Sequence, residues 1–168
     1  MSAFTGVKGE KLIYLYRKYS ARTTGAAAAV AYVSENSKSI SANNDAINTK
    51  DGVFRTAGTP ETTINATAYF KKSDTALEDL KDALLNSDLM EIWEVNLEEA
   101  GTGTGTYKGT YFQGYVSSFE VTSTAEEWVE ASVSFAINGK GAEGDCTVSP
   151  SIIDETSYTF ADTTQAQA

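Results

Sequence analysis

The chain has 168 residues, no histidine, a single cysteine and a formal net charge of −10. A chain of this size fits one domain that can bury roughly 70% of the surface its unfolded form exposes, so neither a disulfide nor a metal is needed for stability. The missing histidines and the lone Cys146 remove most catalytic and metal-binding constellations, and the acidic balance argues against a nucleic-acid-binding surface, whose affinity comes from Lys and Arg displacing counterions.

Residues 11–17 (KLIYLYR) are rich in Leu, Ile and Tyr and read as a first strand. Around them Lys8, Lys11, Arg17, Lys18 and Arg22 stand against Glu10, a local net of +4, whereas residues 23–168 hold eight basic and twenty-two acidic residues. An ordinary solvated surface accounts for that division. So does a basic end that meets an acidic surface on another copy of the chain. No early apolar run has the length of a signal peptide and none could span a bilayer, so the expectation is a soluble protein made in a cytoplasm, without a membrane partner.

Residues 26–33 (AAAAVAYV) are ambiguous: the alanines favour helix and Val-Ala-Tyr-Val favours strand, with strand preferred because the run is short and ends in Ser34-Glu35-Asn36. Residues 36–58 are long, polar and almost without large apolar side chains, and Asp51-Gly52 is a hairpin-turn signal. They read as an extended hairpin arm that projects beyond the core and needs a partner to become ordered. Residues 62–70 alternate, with Ile64, Ala66, Ala68 and Phe70 on one face and Thr63, Asn65, Thr67 and Tyr69 on the other, a half-buried strand.

One helix follows. Ser73, Asp74 or Thr75 can cap it, Thr75 with Glu78 has capping-box spacing, Leu77, Leu80 and Leu84 form one stripe, and Asn86-Ser87 ends it. Residues 90–97 read as a strand with Trp93, Val95 and Leu97 on one face, and residues 98–106 as a flexible connection. Residues 107–121 form a long strand in which Gly109 and Gly114 predict a bulge or a corner. Residues 128–138 alternate Val129, Ala131, Val133, Phe135 and Ile137 inward, and stop at Asn138-Gly139-Lys140-Gly141. From Ser149 the composition turns to Ser, Thr, Gln, Ala and Asp, with apolar clusters at Ile152-Ile153 and at 158–160. The expected organisation is a β domain over 1–148, with the projecting arm 36–58, and a C-terminal arm over 149–168.

The weak motifs carry no chemistry. Gly101-Thr-Gly-Thr-Gly105 is followed by no helix that could present its N-terminus to a phosphate. Glu98-Glu99 and Glu126-Glu127 are neighbours in sequence whose side chains point apart, and Cys146 has no histidine to activate it. No cofactor, metal or catalytic residue is expected; the chain reads as a building block.

With these runs in order, the chain resembles the major tail proteins (tail tube proteins) of long-tailed, non-contractile phages of Gram-positive bacteria. The resemblance rests on Leu12-Ile-Tyr-Leu-Tyr-Arg17, the polar segment with Lys50-Asp51-Gly52, the strand ending at Phe70 with its helix, and Met90-Glu-Ile-Trp-Glu-Val95. It closes with Gly114-Tyr-Val-Ser-Ser118 and Phe135-Ala-Ile-Asn-Gly-Lys140, and so covers most of residues 8–148. It implies a mainly β fold, a β-sandwich or barrel with one flanking helix, and six-fold rings stacked into a hollow tube of the virion through which the genome passes. The implied partners are further copies of the chain, tape measure protein, and tail terminator and distal tail proteins, with assembly in the host bacterial cytoplasm.

A conduit for DNA needs a wall without cations, because each would bind the backbone and slow its passage. The candidate lumen residues are Ser37, Ser39, Ser41 and Asn43 on one strand and Thr63, Asn65 and Thr67 on its neighbour, with Glu120 and Glu130 as possible additions. Lys8, Lys11 and Arg17 at the basic end, and Asp45, Lys50, Asp51 and Arg55 in the arm, are the candidate subunit-interface residues. Two other readings stay open. One is a β-sandwich adhesin or carbohydrate-binding module, favoured by nine tyrosines and two tryptophans. The other is the tube of a contractile or secretion apparatus.

Overall fold

The computed structural model of the chain describes residues 3–153. Its elements are β1 (Leu12–Lys18), β2 (Val33–Ser41), β3 (Ala46–Thr49), β4 (Gly52–Arg55), β5 (Glu61–Tyr69), α1 (Thr75–Asn86), β6 (Met90–Ala100), β7 (Thr106–Thr122), β8 (Glu130–Thr147) and the short α2 (Pro150–Ile153). Six strands form one antiparallel sheet in the order β1-β6-β7-β8-β5-β2, while β3 and β4 pair only with each other.

The sheet folds over on itself because its two longest strands turn a corner. The first half of β7 pairs with β6, and the first half of β8 pairs with β5. Where the halves meet, three residues from Gly139 to Gly141 stand opposite the single Phe112, a bulge that bends both strands. Gly139 and Gly141 have φ of 72° and 77°, which an L side chain resists, and a Cβ on Gly114 would overlap the Ala136 carbonyl oxygen. The corner lays Tyr16 of β1 on Phe135 of β8, ring centroids 5.0 Å apart, although three strand spacings, about 14 Å, would separate them in a flat sheet. Lys38 of β2 likewise reaches Glu94 of β6 at 2.6 Å, and the Tyr14 hydroxyl donates to the same carboxylate. The expected β-sandwich or barrel is therefore one sheet closed around a core of Ile64, Ala66, Ile92, Val133 and Phe135.

The helix closes that core through Leu77, Leu80 and Ala83, with Leu84 only partly buried beside them. Its cap is Asp74, whose carboxylate accepts from the N–H groups of Ala76 and Leu77 at 3.0 and 3.4 Å. The expected Thr75–Glu78 capping box does not form, because Thr75 is already the first helical residue. On the opposite face of β6, Val95, with Trp93 and Leu97, builds a second cluster with Leu15, Val148 and Ile152.

Several sequence expectations need correction. Of the run 26–33 only Val33 belongs to a strand, as the first residue of β2. The rest makes one isolated bridge, Ala28 with Tyr16, and Tyr32 at φ 54° breaks the extended path. The projecting arm is shorter than 36–58, because residues 33–41 are the edge strand β2, paired with β5. Its polar composition is no obstacle there, since an edge strand buries little of either face. The strand beginning near Trp128 does not stop at Asn138; Gly139-Lys140-Gly141 is a bulge and β8 continues to Thr147. Trp128 itself lies outside β8 and is 84% exposed. Phe70 falls just past β5 and is exposed rather than continuing its buried face. The predicted apolar cluster at 158–160 lies outside the described residues.

Candidate functional site

The corner leaves β7, β8, β5 and β2 with one face against the core and the other outward. Cross-strand partners in a sheet project to the same face, so the register defines the outward set. On β2 it is Glu35, Ser37, Ser39 and Ser41, opposite Thr67, Asn65, Thr63 and Glu61 of β5. On β8 it is Glu130, Ser132, Ser134 and Ala136, opposite Thr122, Glu120, Ser118 and Tyr115 of β7. The two predicted polar rows are thus adjacent and aligned. Asn43 is the exception: β2 ends at Ser41, and Asn43 sits in the neck that leads to β3, its backbone packed against Gly58.

The face is cross-linked by its own side chains. Asn65 Nδ2 donates to Ser37 Oγ at 3.2 Å, Ser134 Oγ donates to Asn65 Oδ1 at 2.6 Å, and Ser117 Oγ donates to the Ser134 carbonyl at 3.1 Å. Thr67 and Ser132 hydroxyls lie 3.4 Å apart. Among the paired positions just named none is Lys or Arg, while Glu35, Glu61, Glu120 and Glu130 each place a carboxylate there; the exposed Lys140 of β8 stands beyond them in the Gly139–Gly141 bulge. Lys38 projects to the other face, tied to Glu94. The sequence reading set Ser132 and Ser134 outward on their own strand but did not join them, or Ser118, to the β2 and β5 rows. Their signal was the outward alternation along β8.

The hairpin β3–β4 departs from the Glu61 end of β5. Asp51 is in its turn with Lys50, and Ile47 pairs with Phe54. Its neck is held by Thr56 N donating to the Asp45 carbonyl at 2.9 Å and Gly58 N donating to Asn44 Oδ1 at 3.0 Å. Arg55 donates to the Asn44 carbonyl at 3.3 Å. All residues from Ser41 to Ala57 are exposed, including Val53 and Phe54.

Of the basic end, Lys8 and Lys11 form no ion pair among the described residues. Arg17 is engaged within its own chain. It meets the buried Glu91 at 2.7 Å, lies 5.0 Å from the Trp93 ring centroid, and Tyr111 OH donates to the other Glu91 oxygen at 2.8 Å. Trp93 is partly buried in that packing. Asp145 clamps the loop before β7, accepting from Thr102 N at 2.9 Å and Thr102 Oγ1 at 2.7 Å, with Lys108 at 3.0 Å. These hydrogen bonds, the Thr102 N–H first, hold its carboxyl at a pKa of about 2. Burial pushes the Cys146 thiol up, away from reactivity. No cluster of three potential metal ligands occurs among the described residues, and no helix there is long and apolar enough to cross a membrane.

A family model described as phage tail tube protein matches residues 6–142. A putative tail protein of Staphylococcus phage phiMR25 is 31% identical over 161 residues, covering 93% of this chain and 82% of that protein. Among solved structures, the SPP1 tail tube superposes with a TM-score of 0.76 at 22% identity, covering 97% of this chain and 95% of that one. The tail of an empty gene transfer agent particle, refined with C6 symmetry, gives a TM-score of 0.62 at 13% identity, covering 82% and 98%. These two likenesses show a shared fold.

Proposed function

This chain belongs to the phage tail tube protein family and is a structural component of the tail, and from that premise we propose that six copies close into a ring, that rings stack into a tube, and that the Ser37–Asn65–Ser134 face lines its channel. The observation that carries the reading is the cation-free face. Hydroxyls, amides and four carboxylates spread over four adjacent strands hydrate a wall without gripping phosphate, whereas each Lys or Arg there would release counterions and hold the backbone. The chain acts without catalysis, assembles in the host cytoplasm, and meets tape measure protein before DNA enters. Tail terminator and distal tail proteins cap the ends.

Ring closure requires head-to-tail contacts between unlike surfaces. The exposed Lys8, with Lys11, supplies the basic side, against an acidic surface of the neighbouring copy. The hairpin, with Asp45, Lys50, Asp51 and Arg55, supplies a contact that only assembly can bury. The C6 symmetry of the gene transfer agent tail, which shares the fold, supports six as the ring number.

The test is Thr63→Lys combined with Thr67→Lys, with tube assembly and genome delivery measured separately. Normal tubes with reduced delivery are expected. Normal tubes with unchanged delivery would place this face elsewhere.

A further inference from the structure

Asn138 is the one asparagine of the sequence that is followed by glycine. In an Asn-Gly pair the backbone nitrogen of the second residue can attack the side-chain amide of the first, because glycine has no Cβ to crowd the approach. In a folded chain the attack also needs freedom of the two residues, and the corner supplies it. Asn138 ends the first half of β8: it stands opposite Gln113 and one residue beyond Ile137, the last position that pairs with β5. Gly139 opens the bulge, has no partner in the register, and has φ of 72°. Nothing else among the described residues lies within 4 Å of where a Cβ on it would stand. Asn138, Gly139 and Lys140 are all exposed. The other asparagines differ, since each precedes a residue with a Cβ. Asn44, Asn65 and Asn96 are further held by hydrogen bonds through their side-chain amides.

We infer that Asn138 is a site of spontaneous deamidation. The Gly139 nitrogen loses its proton and bonds to Asn138 Cγ, the Cγ–Nδ2 bond breaks, and the nitrogen leaves as ammonia with that proton, giving a succinimide. Water then adds to either carbonyl of the ring and opens it to aspartate or isoaspartate, with no change of oxidation state. The register puts Asn138 on the same outward face as Ala136 and Ser134, so each event replaces a neutral amide there by a carboxylate. The new charge stands two residues from Lys140 and offsets that residue's positive charge. Where this face lines a channel, a consequence that rests on the tube reading above, the wall moves further from gripping phosphate.

The test is to age the purified full chain at neutral pH and physiological temperature and to map amide and acid at every asparagine by peptide mass spectrometry. A fresh sample sets the baseline, and a urea-unfolded sample is aged beside it. Acid at Asn138 ahead of every other asparagine, as a mixture of aspartate and isoaspartate, is expected from the folded chain, with a shift of one negative charge on isoelectric focusing. A folded chain that keeps the Asn138 amide, or loses another amide first, overturns the inference; loss from the unfolded sample alone would show that the bulge protects the pair. Asn138→Asp tests the consequence, and should give tubes in wild-type yield with unchanged genome delivery. Poor assembly of that variant overturns the placement of the new carboxylate on a hydrated wall. Wild-type protein that forms no tubes overturns the tube reading and leaves the modification standing.

Discussion

Tyr16 and Phe135 stack with planes inclined by 10°, joining two strands that the sheet order holds three positions apart. The contact exists because β7 and β8 bend at their glycines, and it fixes which side of β8 is core. Everything assigned to the outward face follows from it, since Ser132 and Ser134 alternate with the buried Val133 and Phe135.

Phe135→Ala should therefore cost about 3–5 kcal/mol in chemical denaturation, and Leu80→Ala about 2–5 kcal/mol, because both side chains are fully buried and leave cavities. A change near zero for Leu80 would mean that the helix is not packed on this core in solution.

Deleting residues 43–55 should leave a single cooperative thermal transition and abolish tubes. The hairpin contributes no buried side chain to either cluster, and the β2–β5 pairing that it interrupts begins at Ser41 and Glu61, outside the deletion. Loss of the cooperative transition would show that the hairpin supports the fold.

Acid should loosen the loop before β7 ahead of the core. The Asp145 carboxyl is depressed from 3.8 to about 2 in the folded chain, so its stabilising contribution is fully present above pH 3.8 and is lost as pH falls through about 2. The protection factor of the Thr102 amide, its exchange relative to an unstructured amide at the same pH, should fall over that window, and Asp145→Ala should lack that protection at all pH values. An unchanged Thr102 protection factor between pH 4 and 2 would contradict the clamp.

How much was legible in the sequence depended on whether the signal was local. The β5 face could be read because Ile64, Ala66 and Ala68 alternate with Thr63, Asn65 and Thr67 within one strand. The helix could be read from its leucines, though three adjacent cap-type residues hid that Asp74 holds the cap. The edge strand β2 could be read only in part: its alternate serines were placed beside the β5 row, but it was assigned to the projecting arm, because its inward Lys38 looks like a solvent residue until Glu94, 56 positions away, is placed beside it. Gly139-Lys140-Gly141 looks like a turn for the same reason: only the partner strand makes it a bulge. Arg17 was read as a candidate interface residue, and its intrachain partner Glu91, 74 positions on, could not be seen from the sequence.

The most direct measurement is a helical reconstruction of tubes assembled from the purified chain. The account predicts six copies per ring with Ser37, Thr63, Asn65 and Ser134 facing the channel and no Lys or Arg of this sheet lining it. A reconstruction that turns this face to the outside of the tube, or lines the channel with the opposite side of the sheet, would contradict it.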